Sequence, residues 1–312
     1  MALHHRPAEP GDLPRCAELM RQHARLAYGP ALADELPRFW RQLLDARDPA
    51  LHVLVDDSRP GTQALRGLAS GAFVDPDFLA QELAAPRAGL TQRVVELALQ
   101  GRSPLLPRAA LARAQAADGV HALGLDFALA DDHFALPAAL RWLPTMVASA
   151  RDWLGGWRLA SFHREVAGRD LALLARSAGV PLRRLDAPAG APAARPLYLS
   201  GCTRVQAQRR TGSFMWWFFQ HADPQLRFTP AEQDLLVLAL RNLSDADAAA
   251  RLHLSPHTVA MRWRSLLARA SEHRPDLFPP HDGVSRGPER RSTLLAWLRQ
   301  HPEELRPRAA PD

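Results

Sequence analysis

With 312 residues, the chain is long enough for two domains, or one domain and a module, each with its own core. A hydrophobic share of 47% against 23% charged residues is ordinary for a globular protein, and no apolar run reaches the length of a bilayer span. The net charge of +6 comes from 39 basic residues, all arginine, so it reflects a compositional bias and does not by itself establish an acidic or nucleic-acid partner.

The opening MALHHRPAEPGDLP lacks the apolar stretch of a signal peptide, and a cytoplasmic location is expected. Cys16 and Cys202 lie far apart with no metal-ligand spacing, and are read as inert packing thiols. In chain order, His4 to Ala8 reads as extended, followed by a capped helix from Asp12 to His23 and a second from Ala33 to Ala46. Leu51–Val55 and Ala64–Phe73 read as strands. Helices are predicted at Gly89–Leu99, Leu106–Ala117 and Ala138–Leu154, with a buried strand, Val120–Leu129, between the last two. Trp157–Glu165 reads as a strand after a Gly155-Gly156 turn, Arg169–Ala178 as a helix and Val180–Leu185 as a strand. A Pro/Ala-rich loop, Ala187–Pro196, leads to a strand from Leu197 to about Gln208. The aromatic run Gly212 to His221, GSFMWWFFQH, reads as a helix packed into the first domain or as one that reports its state.

Strands alternating with helices predict an α/β layer domain. Its opening RPAEPGDLPRCAEL and its later LALLARSAGVPLRR resemble, weakly, the first strand and helix and the late helix and strand of the GNAT acetyltransferase fold. A GAF- or PAS-like sensing domain is the other reading. The GNAT resemblance implies an Arg/Gln-x-x-Gly-x-Gly/Ala loop whose N–H groups hold a pyrophosphate, and here Asp131-Asp132-His133-Phe134 stands instead. His121, Asp126, Asp131, Asp132 and His133 match no established metal-ligand spacing and are read as loop acids and their neighbours. No metal is expected.

From Phe228 to Ala270 the chain reads as a helical module. Thr229-Pro230 with Glu232 forms a capping box, and Leu235, Leu236, Leu238, Ala239 and Leu243 recur at helical spacing. A short helix from Asp245 to Leu252, a turn at His253-Leu254-Ser255 and a longer helix from Pro256 make a helix-turn-helix. This stretch resembles the DNA-binding domain of LuxR/NarL/GerE-type regulators, through Thr229, Pro230, Glu232, Leu243, Ser244, Ala249, Leu252, Leu254, Ser255, Pro256, His257, Thr258 and Val259. It departs where the usual Lys and His are Ala260 and Arg262. Asn242 and His253 stand where the family has Gly, and both tolerate a positive φ.

The resemblance implies that Ala260, Met261 and Arg264 face a DNA groove, with His257, Thr258 and Arg262 toward phosphates and Ser265 and Arg269 on the same exposed sides. Arg251, Arg262, Arg264 and Arg269 lie in a stretch with no acid. Val259, Trp263, Leu266, Leu267 and Ala270 would face the other helices. After a loop from Arg274 to Pro288, Glu289–Gln300 reads as an amphipathic helix that caps the module.

The expected organisation is an α/β regulatory domain over 1–211, a linker helix over 212–227, an all-α LuxR-type module over 228–271, and a loop and helix packing on it over 272–312. The expected function is a DNA-binding transcription regulator that carries out no chemistry and needs no cofactor. It would act as a homodimer on double-stranded DNA, with a small-molecule effector or RNA polymerase as further partners and no membrane. The alternatives are a GNAT-like acyltransferase with a DNA-binding appendage, and an interaction adaptor that no longer binds DNA.

Overall fold

The computed structural model describes residues 3–23, 30–45, 50–130, 136–186, 196–278 and 287–308. The Asp131-Asp132-His133-Phe134 stretch, most of the Ala187–Pro196 segment and the later part of the Arg274–Pro288 segment lie outside the described residues. The chain divides into two compact units, one holding Met1–Leu154 and Arg158–Gln220, the other Gly155–Trp157 and His221–Arg308.

The first unit is a layered α/β structure. Its strands are β1 (Leu3–Pro7), β2 (Leu51–Asp56), β3 (Leu65–Val74), β4 (Val120–Leu129), β5 (Leu159–Ala167), β6 (Leu182–Leu185) and β7 (Leu197–Thr203). They form one sheet in the order β1-β2-β3-β4-β5-β7-β6. Every neighbouring pair is antiparallel except β4 and β5, which run parallel. A parallel pair needs a crossover, and α6 (Leu136–Leu154) supplies it. The remaining helices are α1 (Leu13–His23), α2 (Pro30–Asp45), α3 (Pro76–Ala84), α4 (Leu90–Leu99), α5 (Arg108–Ala116), α7 (Arg169–Ser177), α8 (Arg204–Gln208) and α9 (Phe214–Phe218).

β2 is buried along its whole length, which is why LHVLVD reads as a nearly continuous apolar run rather than as an alternation. Leu13, Leu19, Leu36, Phe39 and Trp40 of α1 and α2 join Val53, Leu68, Leu123, Val94 and Val95 in the main core. Two sequence expectations needed correction here. Helix α3 was not foreseen, although Asp75-Pro76 announces it: the Asp75 carboxylate accepts the N–H groups of Asp77 and Phe78, and Pro76 takes the first turn. The strand expected to run to Gln208 stops at Thr203, where Thr203 and Gln206 close a capping box that starts α8. Cys16 and Cys202 are both buried free thiols, their pKa values pushed up by burial to about 12 and about 11.

The described part of the second unit is helical, with α10 (Pro230–Leu240), α11 (Asp245–Arg251), α12 (Pro256–His273) and α13 (Gly287–Leu298). Thr229 and Glu232 form the capping box that the sequence announces, and Ser244 and Ser255 cap α11 and α12. Asn242 and His253 adopt φ of 61° and 54°, the left-handed turns that replace glycine. Leu236, Val259, Trp263 and Leu266 close a core that Leu294 and Leu298 of α13 complete. Trp263 is 3% exposed, and its Nε1–H donates to Asp245 at 3.0 Å. Buried Glu304 accepts the N–H groups of Gln225, Leu226 and Arg227, which ties the entry to α10 to the end of the unit.

Candidate functional site

The first unit opens at the parallel pair. The β4–β5 ladder ends at Gly124 against Arg164; beyond it β4 pairs only with β3, and β5 only with β7. Within this same stretch, Gly124 to Phe127 of β4 oppose Gly71 to Ala69 of β3, so β4 carries one extra residue. Such a bulge bends a strand and increases its twist, and thereby turns β4 away from β5. On one face, Glu165 of β5 reaches α4, accepting the N–H groups of Gly89 at 2.8 Å and Thr91 at 3.3 Å. Gly89 occupies the N-cap with φ 86° and has no side chain to cap with, so the carboxylate from β5 does it.

On the other face lies a cavity of about 390 Å³, walled by β4, β5, α6, α7 and α9. This is within the usual range for small-molecule sites. Its lining is mainly apolar, with Met146, Val147, Trp153, Leu171, Leu174, Phe214 and Phe218 among the contributors. Trp153 packs tilted on Phe73 and edge-on to Phe162. Two polar side chains interrupt this wall, and a third polar group braces the sheet behind it: Asp126 is 4% exposed and turns to α2, where its Oδ2 accepts from Trp40 Nε1 at 2.9 Å and from Ser70 Oγ at 2.8 Å, while Ser70 Oγ accepts the Asp126 N–H at 3.0 Å. His52 Nδ1 lies 2.8 Å from Ser149 Oγ. Arg164 contributes a guanidinium whose pKa burial pulls below the usual arginine range. On the opposite side of β5, His163 is buried with its Nε2 unbonded, and burial first, then His121, lower its pKa to about 4.

Sequence reading grouped Asp126 with loop acids. The structure places it instead in the sheet, buried and hydrogen-bonded, because the bulge turns it inward. His121 pairs with Ser161 Oγ at 2.8 Å, while Asp131, Asp132 and His133 lie outside the described residues. Among the described residues no cluster suits a metal ion, and no helix is long and apolar enough to cross a membrane. The aromatic run before the helical unit was read as packing or signalling; its Phe214, Met215 and Phe218 line the cavity. Arg164 was not singled out at all. Its position two residues after Phe162 on an alternating strand was the available signal.

In the second unit, His257 and Arg264 are exposed, Met261 is 46% exposed, and Ala260 is half-buried. Thr258 Oγ1 bonds to Ser255 Oγ at 2.8 Å within the cap. Arg262 donates to the Ala231 carbonyl, Ser265 donates to Glu232, and Arg269 pairs with Glu232 at 3.5 Å. Arg264 Nη1 rests on Met261 Sδ. Arg291 of α13 pairs with Asp245 at 2.8 Å and stacks over Trp263.

No protein-family model and no curated protein matches the chain. Among solved structures, it is similar to a histone acetyltransferase HPA2 and related acetyltransferase from Corynebacterium glutamicum, at 12% identity and a TM-score of 0.36, covering 64% of this chain and 96% of that one. It is similar to Arabidopsis thaliana NAA60 in complex with acetyl-CoA, at 14% identity and a TM-score of 0.37, covering 65% and 99%. An N-acetyltransferase from Staphylococcus aureus stands at 11% identity and 0.37, again covering 65% and 99%. The first unit is mixed α/β with a seven-stranded sheet, as the expectation of an α/β layer domain has it.

These neighbours are acetyltransferases, not transcription regulators. The expectation of a DNA-binding regulator that carries out no chemistry, with double-stranded DNA as its partner, is corrected on that finding.

Proposed function

We propose that the first unit is a GNAT-like acyltransferase, with acyl transfer taking place where β4 and β5 part. One observation carries the reading: a parallel pair, bulged on β4, separates beyond Gly124 and Arg164 onto a cavity that holds buried polar groups. Acyl transfer to an amine needs an enclosed slot for the acyl group, fixed dipoles to meet the carbonyl oxygen, and a group that takes a proton from the attacking nitrogen. The apolar wall supplies the slot. His52, steered by Ser149, is the imidazole in the wall that can take the proton. Asp126, held by Trp40 and Ser70, fixes the bulged backbone of β4.

Acyl-CoA is the donor that the resemblance implies, and the residues fit it only in part. The cavity suits an acyl chain. The chain has no glycine from Leu125 to Leu154, the stretch leading into and through α6, and it carries Asp131 and Asp132 there, which oppose a pyrophosphate. The donor is therefore proposed as an acyl thioester held by its acyl end. In the same reading, the second unit is an accessory module whose LuxR-like helix arrangement serves structure.

The test is turnover by the full chain. Acetyl and longer acyl groups, each as the CoA and as the N-acetylcysteamine thioester, are offered with a panel of amines, and thiol release and amide mass are followed. Amide formation that falls when His52 is changed to Gln supports the reading. No amide product from any donor and amine pair overturns it.

A further inference from the structure

Arg164 presents a problem that its own surroundings do not solve. It stands on β5 at the last rung shared with β4, and its side chain enters the cavity wall. Its Nε is buried without a hydrogen bond, and among the described residues its guanidinium makes no ion pair. The acid on the neighbouring strand, Asp126, accepts from Trp40 and Ser70 rather than from Arg164. The guanidinium carbon stands 5.7 Å from the centroid of the Phe127 ring. An enclosed cation without a counter-charge is costly to a fold, and a protein keeps one where something else supplies the anion.

Around it the wall is apolar: Met146 and Val147 from α6, Leu171 and Leu174 from α7, Phe214 and Phe218 from α9. A single cation set in an apolar chamber fits a ligand with one anionic end and an apolar body. The planar fork of arginine matches a carboxylate, which it can hold through two parallel N–H···O bonds. We propose that the cavity binds an amphiphilic carboxylate, with the carboxylate on Arg164 and the apolar body between α6, α7 and α9. This names a ligand class for the cavity of the site proposed above, distinct from the thioester and the amine that react there, and rests on that reading for any role in catalysis. The binding itself is tested separately, so binding without turnover would defeat the acyltransferase reading and leave this one standing.

The experiment is calorimetric titration of the full chain with decanoate, decanol and decylamine, each below its micellar concentration. Decanoate is expected to bind at least about tenfold more tightly than decanol, and decylamine not at all. In Arg164→Gln the preference for decanoate over decanol should vanish, while decanol binding, which reports an intact cavity, persists. If that variant does not fold, the ranking of the three probes on the unaltered protein decides. Equal affinity for decanoate and decanol, stronger binding of decylamine, or a decanoate preference that survives Arg164→Gln would overturn the proposal.

Discussion

The indole of Trp153 occupies the space in which a Cβ on Gly71 would stand, so the six-membered ring of α6 packs directly on the backbone of β3. Gly71 is also the residue that faces Gly124 where the β4 bulge begins. Glycine is needed here for close approach and not for an unusual φ. Gly71→Ala should push Trp153 off β3, disturb its contacts with Phe73 and Phe162, and destabilise the first unit by about 1–3 kcal/mol. Urea denaturation followed by tryptophan fluorescence checks this, and an unchanged midpoint would show that the ring has room to move.

Trp40 and Ser70 both donate to the buried Asp126 carboxylate. Trp40→Phe keeps most of the packing and removes one N–H, and should cost about 1–3 kcal/mol because the bond is to a carboxylate away from water. Ser70→Ala removes a donor to the carboxylate and an acceptor of the Asp126 N–H. The two changes share a partner, so the double variant should depart from additivity in a denaturation cycle. Strict additivity would mean that the carboxylate is not the common link.

His163 gives the fold a pH dependence of definite sign. Its folded pKa is about 4 against an ordinary 6.5, so between those values the unfolded chain holds a proton that the folded chain lacks. Stability is therefore full above about pH 6.5, falls as pH drops toward 4, and loses nothing further from this group below that. The limit of the effect is roughly 3 kcal/mol. His121 is lowered in the same direction and adds to the slope. Denaturation midpoints at pH 7.5 and pH 5 should differ in the unaltered protein and differ less in His163→Gln. An identical drop in the variant would place the titration elsewhere.

In the helical unit, Trp263 is buried and donates to Asp245. Trp263→Ala should cost about 3–5 kcal/mol through lost burial and the cavity left behind. Trp263→Phe should cost less, mainly the hydrogen bond. Differential scanning calorimetry of the full chain would show a transition moving down in that order. Equal melting of Trp263→Ala and the unaltered chain would mean that the indole does not hold the unit's core.

The sequence displayed the fold well where local chemistry is explicit. β4 was bounded at Val120 and Leu129, the capping box at Thr229 stood where expected, and Asn242 and His253 took the left-handed turns. Periodicity was less informative where tertiary contacts decide. The start of α8 depends on Thr203 and Gln206 capping each other, and a β-like run hid it. The site was hardest to see. Arg164, Asp126, His52 and Phe214 are far apart in sequence, and only the sheet order and the α9 helix bring them to one cavity. The acid-free arginine stretch of α12 drew the functional reading toward DNA. One of its arginines, Arg269, pairs with Glu232 on another helix, so an acid-free stretch in sequence does not leave every cation unpaired in space.

The central claim is that substrate binds where β4 and β5 part. Hydrogen–deuterium exchange of the full chain, with and without a non-hydrolysable thioether analogue of decanoyl-N-acetylcysteamine, tests this most directly. Slower exchange within Val120–Leu129, Leu159–Ala167 and the later half of α6, with α10 to α12 unaltered, is the result predicted. Protection confined to α12, with both strands unaltered, would contradict it.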